Sequence, residues 1–258
     1  MDTLELKREQ FRLAHKIILR DDFSIVNQES NLVRKTPLGL LLRDPQVEYT
    51  VKKIAGIDTL PILPNKLLAC VVVCEFPSLK VLEQKSYILH DPLPFKPGYS
   101  AYRDMPAMIE AYNLLENEPD VILVKGEGIL HPRKIGIASH LGLMLNKPTI
   151  GITPKLNLGK VELGKIMFHN EICGFEVKTR EHANPVYVSP GHLITLGSTL
   201  NIVAKTIVYP HKLPEPLHLV HKLLRKMGKG KTEEEKQERV QVFAGDKSQS
   251  ENMGVNLT

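Results

Sequence analysis

Apolar residues recur at helical spacing over residues 4–20, LELKREQFRLAHKIILR, where Leu6, Phe11, Ala14, Ile17 and Ile18 share one face. The period is then lost. Residues 22–50 have no clean alternation and read as an excursion or small subdomain. Three strand patterns follow: KIAGIDTLPI (53–62), LLACVVVCEF (67–76) and KVLEQKSYIL (80–89). Short turns of Pro, Asn or Ser join them, so they are expected to pair as an antiparallel meander.

The second half reads differently. A Pro/Gly-rich loop, DPLPFKPGYS (91–100), precedes a helical pattern over 104–117 carried by Met105, Met108, Ile109, Tyr112 and Leu115. DVILVKGEG (120–128) is an apolar run ending in glycines. Residues 133–146 have a helical pattern, and PTIGIT (148–153) is a second apolar run. Continuous apolar strands joined through a helix are expected to lie parallel and buried on both faces. Further strands are expected near 160–169 and 172–178, with a strand and sharp turn over PVYVSPGH (185–192). A helix to about Val208 and another over 214–227, opened by Pro214, complete the pattern. The prediction is one α/β domain over residues 1–227, with 22–50 as an insertion. Its mixed sheet combines a meander with parallel strands and carries helices on both faces. The polar, mostly aperiodic residues 228–258 are expected to form a flexible tail.

Composition narrows the class. Of 258 residues, 42% are hydrophobic and 24% charged, which is ordinary globular usage. No apolar run approaches the ~20 residues of a membrane helix. The start MDTLELKREQ is too charged for a secretory signal. Cys70 and Cys74 lie four positions apart in one strand, too far for a disulfide. With Cys173 and no CxxC, they indicate a reduced, cytoplasmic protein without a membrane partner. The net charge is +5, and residues 212–231 hold six cations against the single acid Glu215. That stretch reads either as a solvated helix end suited to the dipole or as a phosphate-facing patch.

In open α/β sheets, ligands gather outside the carboxyl ends of strands. Asp58 lies in the first core strand, and Lys125-Gly126-Glu127-Gly128 ends the fourth, followed by His131-Pro132-Arg133-Lys134. Thr153-Pro154-Lys155 and Ser189-Pro190-Gly191-His192 end two more. An acid, a basic cluster and glycine turns at one sheet edge suit a phosphorylated or nucleic-acid ligand. His140 and His192 fit buried structural roles equally well.

KIAGID, PFKPGYSAYRD, ILVKGEGILHPRKIGIASHLGL, KPTIGIT, VYVSPGHLI and KLPEPLHLVHKL resemble, in order over residues 53–227, the signature blocks of the endonuclease V family. The resemblance implies a ribonuclease H-like fold that acts on single-stranded or lesion-containing DNA or RNA; the sequence leaves the oligomeric state open, a monomer being the expectation. It implies Mg²⁺-dependent hydrolysis, with Mn²⁺ as the alternative metal, of the second phosphodiester 3′ to a deaminated base, typically inosine. Clustered carboxylates would hold the metal, which orients the phosphate and stabilises the leaving oxygen. Residue by residue, Asp58 matches the first-strand metal aspartate, and Asp104 stands where the family has a glutamate. Pro94-Phe95-Lys96-Pro97 resembles the strand-separating wedge, with Phe95 in place of its tyrosine. Gly98, Ser100, Gly126, Gly136 and Ile137 fall where the family builds its pocket for an extruded base. His131 matches the histidine near the catalytic metal, and His192 that of the SPGH block.

Two positions depart from the pattern more seriously. Lys125 replaces a metal-binding aspartate, and Pro154 replaces the catalytic lysine, leaving Lys155 one position later. Two readings follow. In one, Lys125 pairs with Asp58 and Asp104 in place of the metal, and the protein binds nucleic acid without cutting it. In the other, Glu127 supplies the missing metal ligand and Lys155 the missing lysine.

Overall fold

A computed structural model of the chain describes residues 2–22, 51–62 and 64–228, together with the backbone of two strands within 25–49. The expected tail, beyond Gly228, lies outside the described residues. The first helix, α1 (Thr3–Ala14), buries Leu6 and Gln10, while Phe11 is 48% exposed. The apolar stripe therefore misjudged its buried face by about one position. It stops short of residue 20 because Ile18 pairs with the last strand instead. The Ile18 N–H donates to His192 Nδ1 at 3.2 Å, and the Leu193 N–H donates to the Ile18 carbonyl at 2.7 Å.

The excursion contains β1 (Ile25–Lys35) and β2 (Leu41–Tyr49), an antiparallel two-stranded sheet of their own. Backbone pairing alone leaves no apolar signature in a sequence, which is why no strand was legible there.

The meander forms as expected: β3 (Lys53–Ile62), β4 (Lys66–Glu75) and β5 (Val81–His90) pair antiparallel. Next come α2 (Ser100–Asn113), β6 (Val121–Lys125), α3 (Ile137–Leu145) and β7 (Thr149–Thr153). β6 and β7 are parallel, as the apolar runs predicted, and β3 is also parallel to β6, which the sequence reading did not foresee. The expected strand over 160–169 is a hairpin, β8 (Lys160–Glu162) and β9 (Lys165–Phe168). Its turn uses positive φ at Leu163 (49°) and Gly164 (77°). β10 (Glu171–Val177), β11 (Val186–His192) and α4 (Leu196–Lys205) follow, and a last helix, α5, covers residues 215–228.

The sheet has nine strands in the order β5-β4-β3-β6-β7-β11-β10-β9-β8. Strand alternation sorts its two faces. Ala55, Ile57, Ile122 and Val124 pack against α2 and α3. Ile54, Cys70, Leu123 and Ile202 pack with Leu217, Val220 and Leu224 on the α4 and α5 side. A Cβ on Gly56 would lie 2.4 Å from the Pro216 carbonyl oxygen, so α5 can cross β3 closely only at that glycine. The mixed sheet with helices on both faces is the architecture read from the sequence.

Candidate functional site

Asp58 alternates with Ile57 and so belongs to the α5 face of β3. Parallel register puts it level with Lys125, the last residue of β6, because Ile57 pairs with Val124. The Lys125 Nζ lies 3.5 Å from Asp58 Oδ2, and the Thr59 N–H donates to Asp58 Oδ1 at 2.8 Å. Burial raises the Asp58 carboxyl above the usual carboxylate range. Lys125 and Thr59 oppose that shift, and Asp104 adds repulsion. Asp104 sits in α2, buried, with Oδ1 accepting from Arg103 Nε at 2.6 Å. Burial raises its carboxyl too, against the hydrogen bond and charge of Arg103.

β6 stops at Lys125 because Gly126 turns the chain. Its φ is +148°, and a Cβ there would lie 2.3 Å from Ile137 Cγ2. Glu127 therefore does not continue the strand, as one reading of the sequence required. Its carboxylate accepts from Asn157 Nδ2 at 2.9 Å. Lys155 is exposed after β7, with its ammonium unpartnered among the described residues. Gly136 is buried and donates its N–H to the Gly128 carbonyl, and Ile137 opens α3 at 5% exposure.

α2 begins four residues earlier than the helical pattern suggested. Pro106 lies inside it, so the proline marks no helix start. Tyr102 in its first turn meets His140 of α3 edge to face at 5.3 Å, so the two helices start side by side. Neither has a side-chain cap or an acidic residue in its first turn. In α3, Ser139 Oγ and His140 Nδ1 are buried without a hydrogen-bond partner among the described residues.

The loop over Pro94–Gly98 is pinned at one atom. The Gly98 carbonyl oxygen accepts from Gln10 Nε2 (3.1 Å), His131 Nε2 (3.2 Å) and Arg133 NH2 (2.6 Å). Gly98 has φ +75°, a value that favours glycine. Arg133 Nε also donates to Gln10 Oε1, and its guanidinium lies 4.5 Å from the Tyr99 ring centroid. His131 uses its second nitrogen as well, with Nδ1 accepting the Arg133 N–H at 3.3 Å. Burial, then the Arg133 charge, lowers it to about 4. His131 thus stays neutral and braces the loop. Lys96 bonds to the Thr3 hydroxyl, and Phe95 remains 60% exposed at the tip. Ser100 opens α2 directly behind.

His192 lies elsewhere. β11 runs antiparallel to β7, so its carboxyl end is level with Thr149, where β7 begins. The rule that ligands sit at strand carboxyl ends therefore points the wrong way here. His192 is 3% exposed and serves the Ile18 backbone instead.

The family model for endonuclease V matches residues 40–222. The chain belongs to the endonuclease V family. The endonuclease V of Thermofilum pendens is 36% identical over 200 residues, covering 76% of this chain and 86% of that protein. That of Dictyoglomus thermophilum is 36% identical over 179 residues, 66% and 78% of the two chains. Among solved structures, Bacillus subtilis endonuclease V aligns with a TM-score of 0.74 at 24% identity, covering 91% of this chain and 95% of that one. Ciona intestinalis endonuclease V aligns with a TM-score of 0.73 at 26% identity, covering 88% of this chain and 98% of that one. It was crystallised in complex with a 24mer DNA containing an inosine followed by a ribo-adenosine. These neighbours carry the ribonuclease H-like fold.

Endonuclease V enzymes are generally divalent-metal dependent, so the partners of each acid decide whether this chain's residues suit a metal. They do not. Lys125 lies on Asp58, Arg103 on Asp104 and Asn157 on Glu127. Among the described residues, no three His, Cys, Asp or Glu side chains form a group that could hold a metal ion. An ammonium at a carboxylate's place removes a ligand and adds repulsion toward a cation.

Gln10 escaped sequence reading, although one signal was there. It stands four residues after Leu6, at a position where the helix buries its face. Gln10→Ala leaves the Gly98 and Arg133 groups short of a partner. It is expected to lower the unfolding free energy by about 1–3 kcal/mol, seen as an earlier urea midpoint.

Proposed function

We propose that this chain binds inosine-containing, single-stranded or lesion-bearing nucleic acid, and that the Lys125–Asp58 pair takes the place of the metal, suppressing hydrolysis. The observation that carries this is the Lys125 ammonium 3.5 Å from the Asp58 carboxylate. The inosine-containing DNA in the Ciona intestinalis structure supports the ligand class. Phe95, presented on a braced loop, is the wedge that parts stacked bases. The adjoining first turns of α2 and α3 form the base pocket. There Ser139 Oγ and His140 Nδ1 offer hydrogen bonds that no described residue uses. Lys155 and the exposed Lys222, Arg225 and Lys226 meet the phosphates, so affinity falls as salt rises. Residues 1–227 act as one unit, with 22–50 inserted. The free thiols of Cys70, Cys74 and Cys173 fit the reducing cytoplasm. No helix among the described residues is long and apolar enough to cross a membrane.

The test uses a labelled single-stranded oligonucleotide with a central deoxyinosine, in Mg²⁺, Mn²⁺ or EDTA. A shifted band on a native gel, uncut on a denaturing gel and indifferent to EDTA, is the expected result. Metal-dependent cutting that is lost in Asp58→Ala would overturn the pairing and return a rebuilt active site.

A further inference from the structure

α1 is docked against the wedge loop and α2 by four contacts. Three are side-chain hydrogen bonds already described, those of Lys96 to Thr3 and of Gln10 to Gly98 and Arg133. The fourth is the Tyr102 hydroxyl, which donates to the Leu6 carbonyl at 3.2 Å. Between helix and loop these contacts hold open a groove of about 420 Å³, lined by Leu6, Phe95, Lys96, Tyr99, Tyr102 and Arg103 among others. That volume lies in the range of small-ligand sites. Three of the walls are aromatic. The Arg103 guanidinium lies 4.9 Å from the Phe95 ring centroid, and the Lys96 ammonium 5.8 Å from that of Tyr99.

The chemistry of the groove selects its occupant. Its lining holds two cations and no acid, so it favours an anionic molecule. Aromatic faces beside cations suit a nucleobase with its attached phosphate. No residue of the expected lesion pocket, whether Gly98, Ser100, Gly126, Gly136 or Ile137, lines it. The groove adjoins that pocket at the first turn of α2, through Tyr102 and Arg103, and the wedge ring Phe95 forms one of its walls. A base left unpaired when the wedge enters the duplex lies beside that ring.

We infer that this groove seats the base opposite the lesion when the ligand is a duplex. The inference rests on the wedge reading above. Seating the orphaned base offsets the cost of opening the pair. Blocking the groove then weakens binding of a duplex whose lesion has an opposing base and spares one in which that base is missing.

The experiment measures the affinity of the full chain for three ligands of equal length. These are a single strand with deoxyinosine, a duplex with deoxyinosine opposite deoxycytidine, and a duplex with deoxyinosine opposite an abasic site. Leu93→Glu, at a groove position that is 52% exposed, puts a carboxylate against the anionic ligand. It is expected to weaken binding of the first duplex about tenfold, in line with one stacked base, while leaving the second duplex and the single strand bound as in the parent. In a parallel measurement, 2-aminopurine opposite the lesion is expected to stay quenched on binding, because it stacks in the groove. No weakening of the first duplex by Leu93→Glu, equal weakening of both duplexes, or bright 2-aminopurine would overturn the groove while single-strand binding kept the wider reading alive. Failure to bind the single strand would overturn both.

Discussion

Lys125→Asp is expected to give this chain a divalent-metal site beside Asp58. The substitution removes the ammonium 3.5 Å from Asp58 and leaves a carboxylate level with it on the same face of the sheet. Asp104 is near enough to repel Asp58 already. Asp58 and the new carboxylate then face each other without a counter-cation, while Asp104 keeps Arg103, and they destabilise one another. The variant is therefore expected to be less stable than the parent in EDTA, by about 2 kcal/mol once partial exposure is discounted from the cost of breaking a buried pair. A hard dication relieves that repulsion. At a metal concentration about a hundred times the dissociation constant, binding returns about 2.7 kcal/mol. Thermal unfolding with and without Mn²⁺ reads both effects, with a large upward shift in the variant and none in the parent. Adding Asp58→Asn is expected to abolish the shift. An equal Mn²⁺ shift in the parent chain would mean that Lys125 swings aside to admit the metal, and the pairing would lose its functional meaning.

The second large effect is on acid stability. A histidine in an unfolded chain takes up its proton near pH 6.5, whereas His131 in the fold does so only at about 4. Between those values the unfolded chain binds more protons, so stability rises with pH. The contribution of His131 is fully present above about pH 6.5, declines as pH falls, and is exhausted below about pH 4. Over that window it amounts to about 3 kcal/mol. His140 and His192 are lowered by burial too and act in the same direction. Asp58 and Asp104, raised by burial, act oppositely at the acid end. The clean reading is therefore a difference between the parent and His131→Gln in urea unfolding from pH 7 to 4. Glutamine can still donate to the Gly98 carbonyl but cannot titrate. The variant is expected to lose less stability across the window, and parallel curves would show that His131 is not kept neutral.

Much of the scaffold was legible because its strands are buried on both faces. Ile122, Leu123 and Val124 are all fully buried, and such a run reads as a central parallel strand whatever surrounds it. The meander was legible from its turns. Helix limits were less so. α2 begins at Ser100, ahead of the pattern over 104–117, and the pairing of Ile18 with His192 and Leu193 ended α1 early, a contact between residues 174 positions apart.

The amino-acid sequence by itself determined the family and the fold class, through ordered blocks such as KIAGID and VYVSPGHLI and through continuous apolar strands. It also marked a stiff loop, because two prolines flank Phe95-Lys96 wherever the loop lies. Three things were decided only in the folded molecule. Glu127 is excluded from the carboxylates because Gly126, at φ +148°, turns the chain before it. His192 is removed from the ligand edge because β11 runs antiparallel to β7, a pairing that local pattern does not encode. The Gly98 carbonyl gathers Gln10, His131 and Arg133 from two distant segments. Periodicity reports which face of an element is buried, whereas strand direction and the convergence of remote polar groups arise only when the elements pack.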